Sequence, residues 1–169
     1  MAPKNTSPSR QIDKILDAKV RGADRGGRPL GRTTVAVRTP SGTATVVVDD
    51  ADRLGVQASS VGLQQAGGSP SDVSRQAQEA VRRLTYLQEP LAVIETDAHR
   101  GRSILRSSTP RKTDGGPEYN EAVLDGGESI TIKRFRAEPG ARRRQVPSNL
   151  SRDTLRRIVD DLGDILQTK

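Results

Sequence analysis

The sequence predicts an α+β fold: an antiparallel four-stranded meander flanked by two helices packed on one face, preceded by a hairpin-containing N-terminal appendage. Two observations carry the body of this fold. Apolar residues recur at helical spacing in two capped segments, near 69–89 and 151–166. Between those segments the apolar period falls to two, in four short runs separated by turn residues. A third observation, β-branched residues on both sides of Pro40-Ser41-Gly42, adds the upstream hairpin.

In chain order, the first periodic segment is Ser9 to Val20, where Ile12, Ile15, Leu16 and Val20 sit at helical spacing behind Pro8. Its apolar stripe is narrow, so this helix needs a partner surface to persist. Arg21 to Arg32 holds four glycines and a proline and reads as a flexible basic linker. Val35 and Val37 share one face of the strand Thr33 to Thr39, and Thr43 to Val48 forms the second arm of the hairpin. Asp49 to Gly68 is acidic, then Gly-, Ser- and Gln-rich, and reads as a partly ordered connection. The chain therefore divides into 1–32, a helix and linker; 33–68, a hairpin and connection; and 69–169, the α-β4-α body.

The body opens with Ser69-Pro70-Ser71-Asp72, which combines an N-cap serine, a proline at the first helical position and a carboxylate three residues on. Val73, Ala77, Ala80, Val81, Leu84 and Leu87 make the helix's apolar stripe, and Pro90 stops it. Leu91 to Thr96 and Gly101 to Ser107 are strands joined through Asp97-Ala98-His99-Arg100, and Ser108 to Pro117 is a polar loop. Glu118 to Leu124 and Ser129 to Arg136 are two further strands. With Gly126 and Gly127 as a two-residue turn, Val123 falls opposite Ile130. In that register Tyr119 and Phe135 have near-opposite parities and form no shared exposed platform. Ala137 to Ser148 is a basic loop, and Ser151 caps a last helix with Leu155, Ile158, Val159, Leu162, Ile165 and Leu166 on one face.

Composition narrows the function. Leu, Ile, Val and Phe together number 36 of 169 residues, a thin apolar supply that suits a modest core with polar appendages. There is no cysteine, which removes disulfide frameworks, thiolate metal sites and cysteine nucleophiles. No apolar run approaches the ~20 residues of a membrane span, and Met1 to Pro8 leads into no signal-peptide core, so the expected location is cytoplasmic without membrane insertion. His99, the one histidine, follows Glu95 and Asp97 with Ser103, Ser107 and Ser108 nearby, but a turn position favours a solvated histidine over a base. Asp49, Asp50 and Asp52, and likewise Asp160, Asp161 and Asp164, lack the spacing of a calcium loop. No phosphate-cradling glycine motif is present. The expectation is a protein without enzymatic activity, cofactor or metal.

The net charge of +7 is unevenly distributed: +6 falls in residues 1–48 and +5 in 99–144. Clustered guanidinium groups concentrate anions and speed encounter. The leading expectation is a basic accessory module that docks into a larger assembly, with a protein of acidic surface as partner. Arg21, Arg25, Arg28, Arg32, Arg142, Arg143 and Arg144 would meet that surface, and Ile12, Ile15, Leu16 and Val20 would be buried on docking. The alternative is a nucleic-acid-binding protein that contacts phosphates through the same arginines. Aromatic poverty, with Tyr86, Tyr119 and Phe135 as the whole supply, weighs against a single-strand binder.

Overall fold

The computed structural model describes residues 7–39 and 42–169. The polar N-terminal segment 1–6, and Pro40 and Ser41 of the expected hairpin turn, lie outside the described residues. The architecture is α+β, with three helices and one mostly antiparallel sheet of nine strands among the described residues.

Helix α1 (Pro8–Gly26) precedes strands β1 (Thr33–Thr39), β2 (Gly42–Ala51) and β3 (Gly55–Gln64). A single 3-10 turn (Pro70–Asp72) leads into α2 (Val73–Arg83). Strands β4 (Leu91–Asp97), β5 (Arg102–Ser107), β6 (Glu118–Asp125) and β7 (Ser129–Arg136) form the second meander. Short strands β8 (Arg144–Val146) and β9 (Ser148–Ser151) then deliver the chain to α3 (Arg152–Leu166). The strand order is β1-β2-β3-β7-β6-β5-β4, so the two meanders join edge to edge through β3 and β7. That junction is partial. Val61 to Gln64 pairs with β7, whereas Gly55 to Ala58 pairs with β9, and the far half of β7 pairs with β8. The sheet is split at one end, and the β8–β9 corner fills the opening.

All three helices pack on one side of the sheet, α3 between α1 and α2. A single buried cluster draws on every part of the chain: Ile12 and Leu16 of α1, Val35, Val46 and Val61 of the first meander, Leu105, Leu124 and Ile130 of the second, and the apolar face of α3. The six α3 residues that periodicity placed on one face are all buried, and the Ser151 hydroxyl accepts from the Thr154 amide at 3.0 Å. Around the 3-10 turn, Ser69 and Asp72 form the anticipated capping box.

Several elements differ from the sequence reading, each for a physical reason. Helix α1 runs six residues beyond Val20, through much of the expected linker. The glycine cluster read as flexibility contains the helix stop: Gly27 adopts φ 62°, and the amides of Gly27 and Arg28 close onto the Asp24 and Ala23 carbonyls. Strand β3 occupies the expected connection. Its apolar alternation, Val56 and Ala58 and then Val61 and Leu63, changes parity because Ser59 bulges from the ladder between Val47↔Ser60 and Val48↔Ala58. Asp49 is the compensating extra residue on β2, and its carboxylate accepts a hydrogen bond from the Ser59 hydroxyl. Helix α2 ends at Arg83, and Leu84 and Leu87 are buried from irregular chain.

The largest correction concerns the register of β6 and β7. Asp125 pairs with Ser129, so the loop holds three residues and Val123 faces Thr131 rather than Ile130. Gly127, at φ 72°, explains the choice. Its Cα lies so close to the Ser69 backbone that a Cβ would stand 2.0 Å from the Ser69 carbonyl oxygen. Gln76 donates to the Gly127 carbonyl at 3.0 Å from beneath. Docking against these neighbours sets the loop, and a one-residue slip sends every side chain of a strand to the other face.

Candidate functional site

With the helices on one side, the opposite face of β5, β6 and β7 has no element covering it among the described residues. The observed register arranges its side chains in four cross-strand ranks. Tyr119 lies directly beside Phe135. The next rank is Arg106, Glu121 and Lys133, then Ile104, Val123 and Thr131, then Arg102, Asp125 and Ser129. Alternation along β7 turns Ile130, Ile132 and Arg134 toward the helices, leaving Thr131, Lys133 and Phe135 outward.

The expectation that Tyr119 and Phe135 share no platform is therefore overturned: they are cross-strand partners. Their ring centroids are 6.0 Å apart with planes inclined at 30°. The Arg143 guanidinium lies over the Phe135 ring at 4.0 Å, and Arg106 stands 5.8 Å from the Tyr119 centroid. Glu121 holds both cations. Arg106 Nε donates to its carboxylate at 2.7 Å, and Arg143 donates to both of its oxygens. Glu121 is buried, which pushes its carboxyl pKa up, but hydrogen bonds from Arg143 and Arg106 outweigh that and hold it below the ordinary range. The same bond, with one from Arg143 to the Tyr119 hydroxyl, raises Arg143 further. The result is two rings and two fixed guanidinium groups on one surface. Arg102, Lys133 and Arg142 around it form no ion pair among the described residues.

The reverse side of the same strands is locked. Arg134 donates twice to Glu89, at 2.8 and 3.1 Å, and also to Asn120 and Glu118, with its side chain 8% exposed. Arg136 clamps the other oxygen of Glu118. A cleft of about 320 Å³ opens beside this network at the split between β3 and β7. In its lining Arg134 and Glu118 are paired with each other and Arg111 donates to Gln88, whereas Arg102, Lys133 and Arg142 near the outer face form no ion pair among the described residues.

The predicted residues fall in different places. Arg143 is central to the outer face and Arg142 is exposed beside it, whereas Arg144, also exposed, pairs with Arg136 and so has the parity of the reverse side. Arg21 and Arg25 lie exposed on α1, Arg28 lies just past its cap, and Arg32 stands 3.8 Å from Asp49. These four belong to the helix side and its margin and do not join Arg143. Ile12, Leu16 and Val20 are buried within the chain's own core, with Ile15 packed against it, so the stripe assigned to docking is already occupied. Tyr86 donates to Asp161 at 2.8 Å under the Arg157 guanidinium and takes no part in the outer face. His99 is exposed in the β4–β5 turn. Asp52 is occupied by the amides of Leu54 and Gly55. Among the described residues no group of three or more His, Cys, Asp or Glu is arranged to hold a metal ion, and no helix is long and apolar enough to cross a membrane.

Tyr119, Phe135, Arg106, Glu121 and Lys133 are the residues that sequence reasoning passed over. The signal was present in the strand segments themselves: with a three-residue loop counted between Asp125 and Ser129, the two aromatic residues pair. Comparison with family models, with curated proteins and with solved structures finds no match.

Proposed function

We propose that this protein binds single-stranded nucleic acid on the uncovered face of its sheet and acts as a binding module rather than an enzyme. The observation that carries this reading is the Tyr119–Phe135 cross-strand pair with Arg143 stacked on it. Aromatic rings and guanidinium planes accept unpaired bases whatever their sequence, because every base has a π-face. Lys133, Arg102 and Arg142 supply phosphate contacts at the margin. A duplex would keep its bases stacked on each other and gain nothing from the rings. An acidic protein surface could use the same cations, but it too would leave the aromatic pair without a role.

The test is fluorescence anisotropy with labelled 12-nucleotide DNA and RNA strands of mixed sequence at 50 mM salt. Wild-type protein should bind both, and the double variant Tyr119→Ala/Phe135→Ala should lose tenfold or more, in line with ~1–3 kcal/mol per stacked base. Because both rings are partly exposed, the variant should retain wild-type melting within a few degrees. Binding that survives the double substitution unchanged, or wild-type protein that shifts neither strand, contradicts the proposal and returns the cations to a protein partner.

A further inference from the structure

On the opposite side of the molecule, α1 carries a second cationic surface. Arg10, Lys14, Arg21 and Arg25 are all exposed, and at 100° per residue they fall within about 60° of the helix circumference. At 1.5 Å per residue the row is about 22 Å long. None of the four has an ion-pair partner among the described residues. The acidic residues of the helix border it on one flank. Asp13 and Asp17 turn toward the start of α3, where Arg152 bonds both, at 2.9 and 2.7 Å, and Asp24 lies on the same flank. Arg10 with Lys14, and Arg21 with Arg25, are like-charge pairs at i,i+4, which disfavour a helix. Asp13, Asp17 and Asp24 stand at i,i+3 or i,i+4 to these cations and offset part of that cost, but no carboxylate closes an ion pair with any of the four among the described residues, so the row stays open to an external anion.

The geometry points to the phosphate backbone of a nucleic-acid duplex as that anion, making this a second site on the face away from the aromatic pair. A straight, rigid row without aromatic residues or a groove suits a backbone of fixed phosphate spacing and offers nothing to unstacked bases. An anionic bilayer is disfavoured, since a membrane-surface helix inserts its apolar face and α1 has Ile12, Leu16 and Val20 buried in the core. Only the choice of nucleic acid as partner rests on the function proposed above; the site itself does not use the outer sheet face. The two surfaces lie on opposite sides of the sheet, so one molecule would hold a single strand and a duplex at once.

The experiment uses the full chain with a blunt 20-base-pair DNA duplex, a 12-nucleotide strand and vesicles containing phosphatidylserine. Substituting Arg10→Gln, Lys14→Gln, Arg21→Gln and Arg25→Gln together should weaken duplex binding at least tenfold at 100 mM salt. It should also flatten the slope of log K against log salt by about 3–4, as expected for four lost phosphate contacts. Single-strand affinity should stay within twofold. The charge-retaining Arg10→Lys/Arg21→Lys/Arg25→Lys variant should bind duplex as wild type does. Duplex affinity unchanged by neutralisation, single-strand affinity falling in step with it, or vesicle binding that depends on the stripe would each overturn the inference. Duplex binding that persists in Tyr119→Ala/Phe135→Ala supports it, even where single-strand binding was never present.

Discussion

Glu121 shows how one side chain organises the outer face. Without it Arg106 and Arg143 would repel each other and roam; with it, both guanidinium groups are fixed beside the rings. Its carboxyl has a folded pKa below the ordinary 4.5, so the deprotonated form is preferentially stabilised by folding. This contribution is fully present above about pH 4.5 and is lost as pH falls through the lower folded value. Glu118, also held low by Arg136 and Arg134 against the opposing effect of burial, follows the same sign. Thermal melting between pH 7 and pH 3 should therefore show stability falling below pH 4.5. Glu121→Gln should remove part of that slope, at a cost near neutrality on the order of 1 kcal/mol, since both arginine heads reach solvent. A variant with the same acid slope as wild type would show that the clamp adds nothing to the fold.

Among the elements, α1 departs furthest from the expectation of a mobile arm. Its Leu16 is 0% exposed against α3 and the first meander, and Arg152 ties Asp13 and Asp17 from the other side. Leu16→Ala should cost about 2–5 kcal/mol in urea unfolding, as for a core leucine, with one transition. An arm that docks only on a partner would give almost no change. Periodicity made α3, the capping box at Ser69 and the strands of the second meander legible, because each rests on local spacing. It could not reveal β3, where the Ser59 bulge breaks the alternation, nor the end of α1, where a helix-capping Gly27 resembles a linker glycine. The outer face was hidden for a longer-range reason. Whether Tyr119 meets Phe135 depends on a three-residue loop, and that loop is set by contacts of Gly127 with Ser69 and Gln76, more than fifty residues away in sequence. The arginines themselves could be counted, but not assigned to sides.

At the scale of the molecule, the helices on one side of the sheet bury the chain's limited apolar supply, and the described residues leave the outer face of β5, β6 and β7 uncovered. The thin composition is thus consistent with a two-layer body, α1 included, and two sets of cations stand on opposite sides of it, a row on α1 and a group on the face of the aromatic pair. The claim that the uncovered face binds single-stranded nucleic acid is tested most directly by amide chemical-shift mapping during titration with a 12-nucleotide strand. Perturbations should concentrate on residues 102–106, 119–125, 129–135 and 142–145, with α1 and α3 unmoved. Perturbations centred on α1, or spread evenly over both layers, would contradict it.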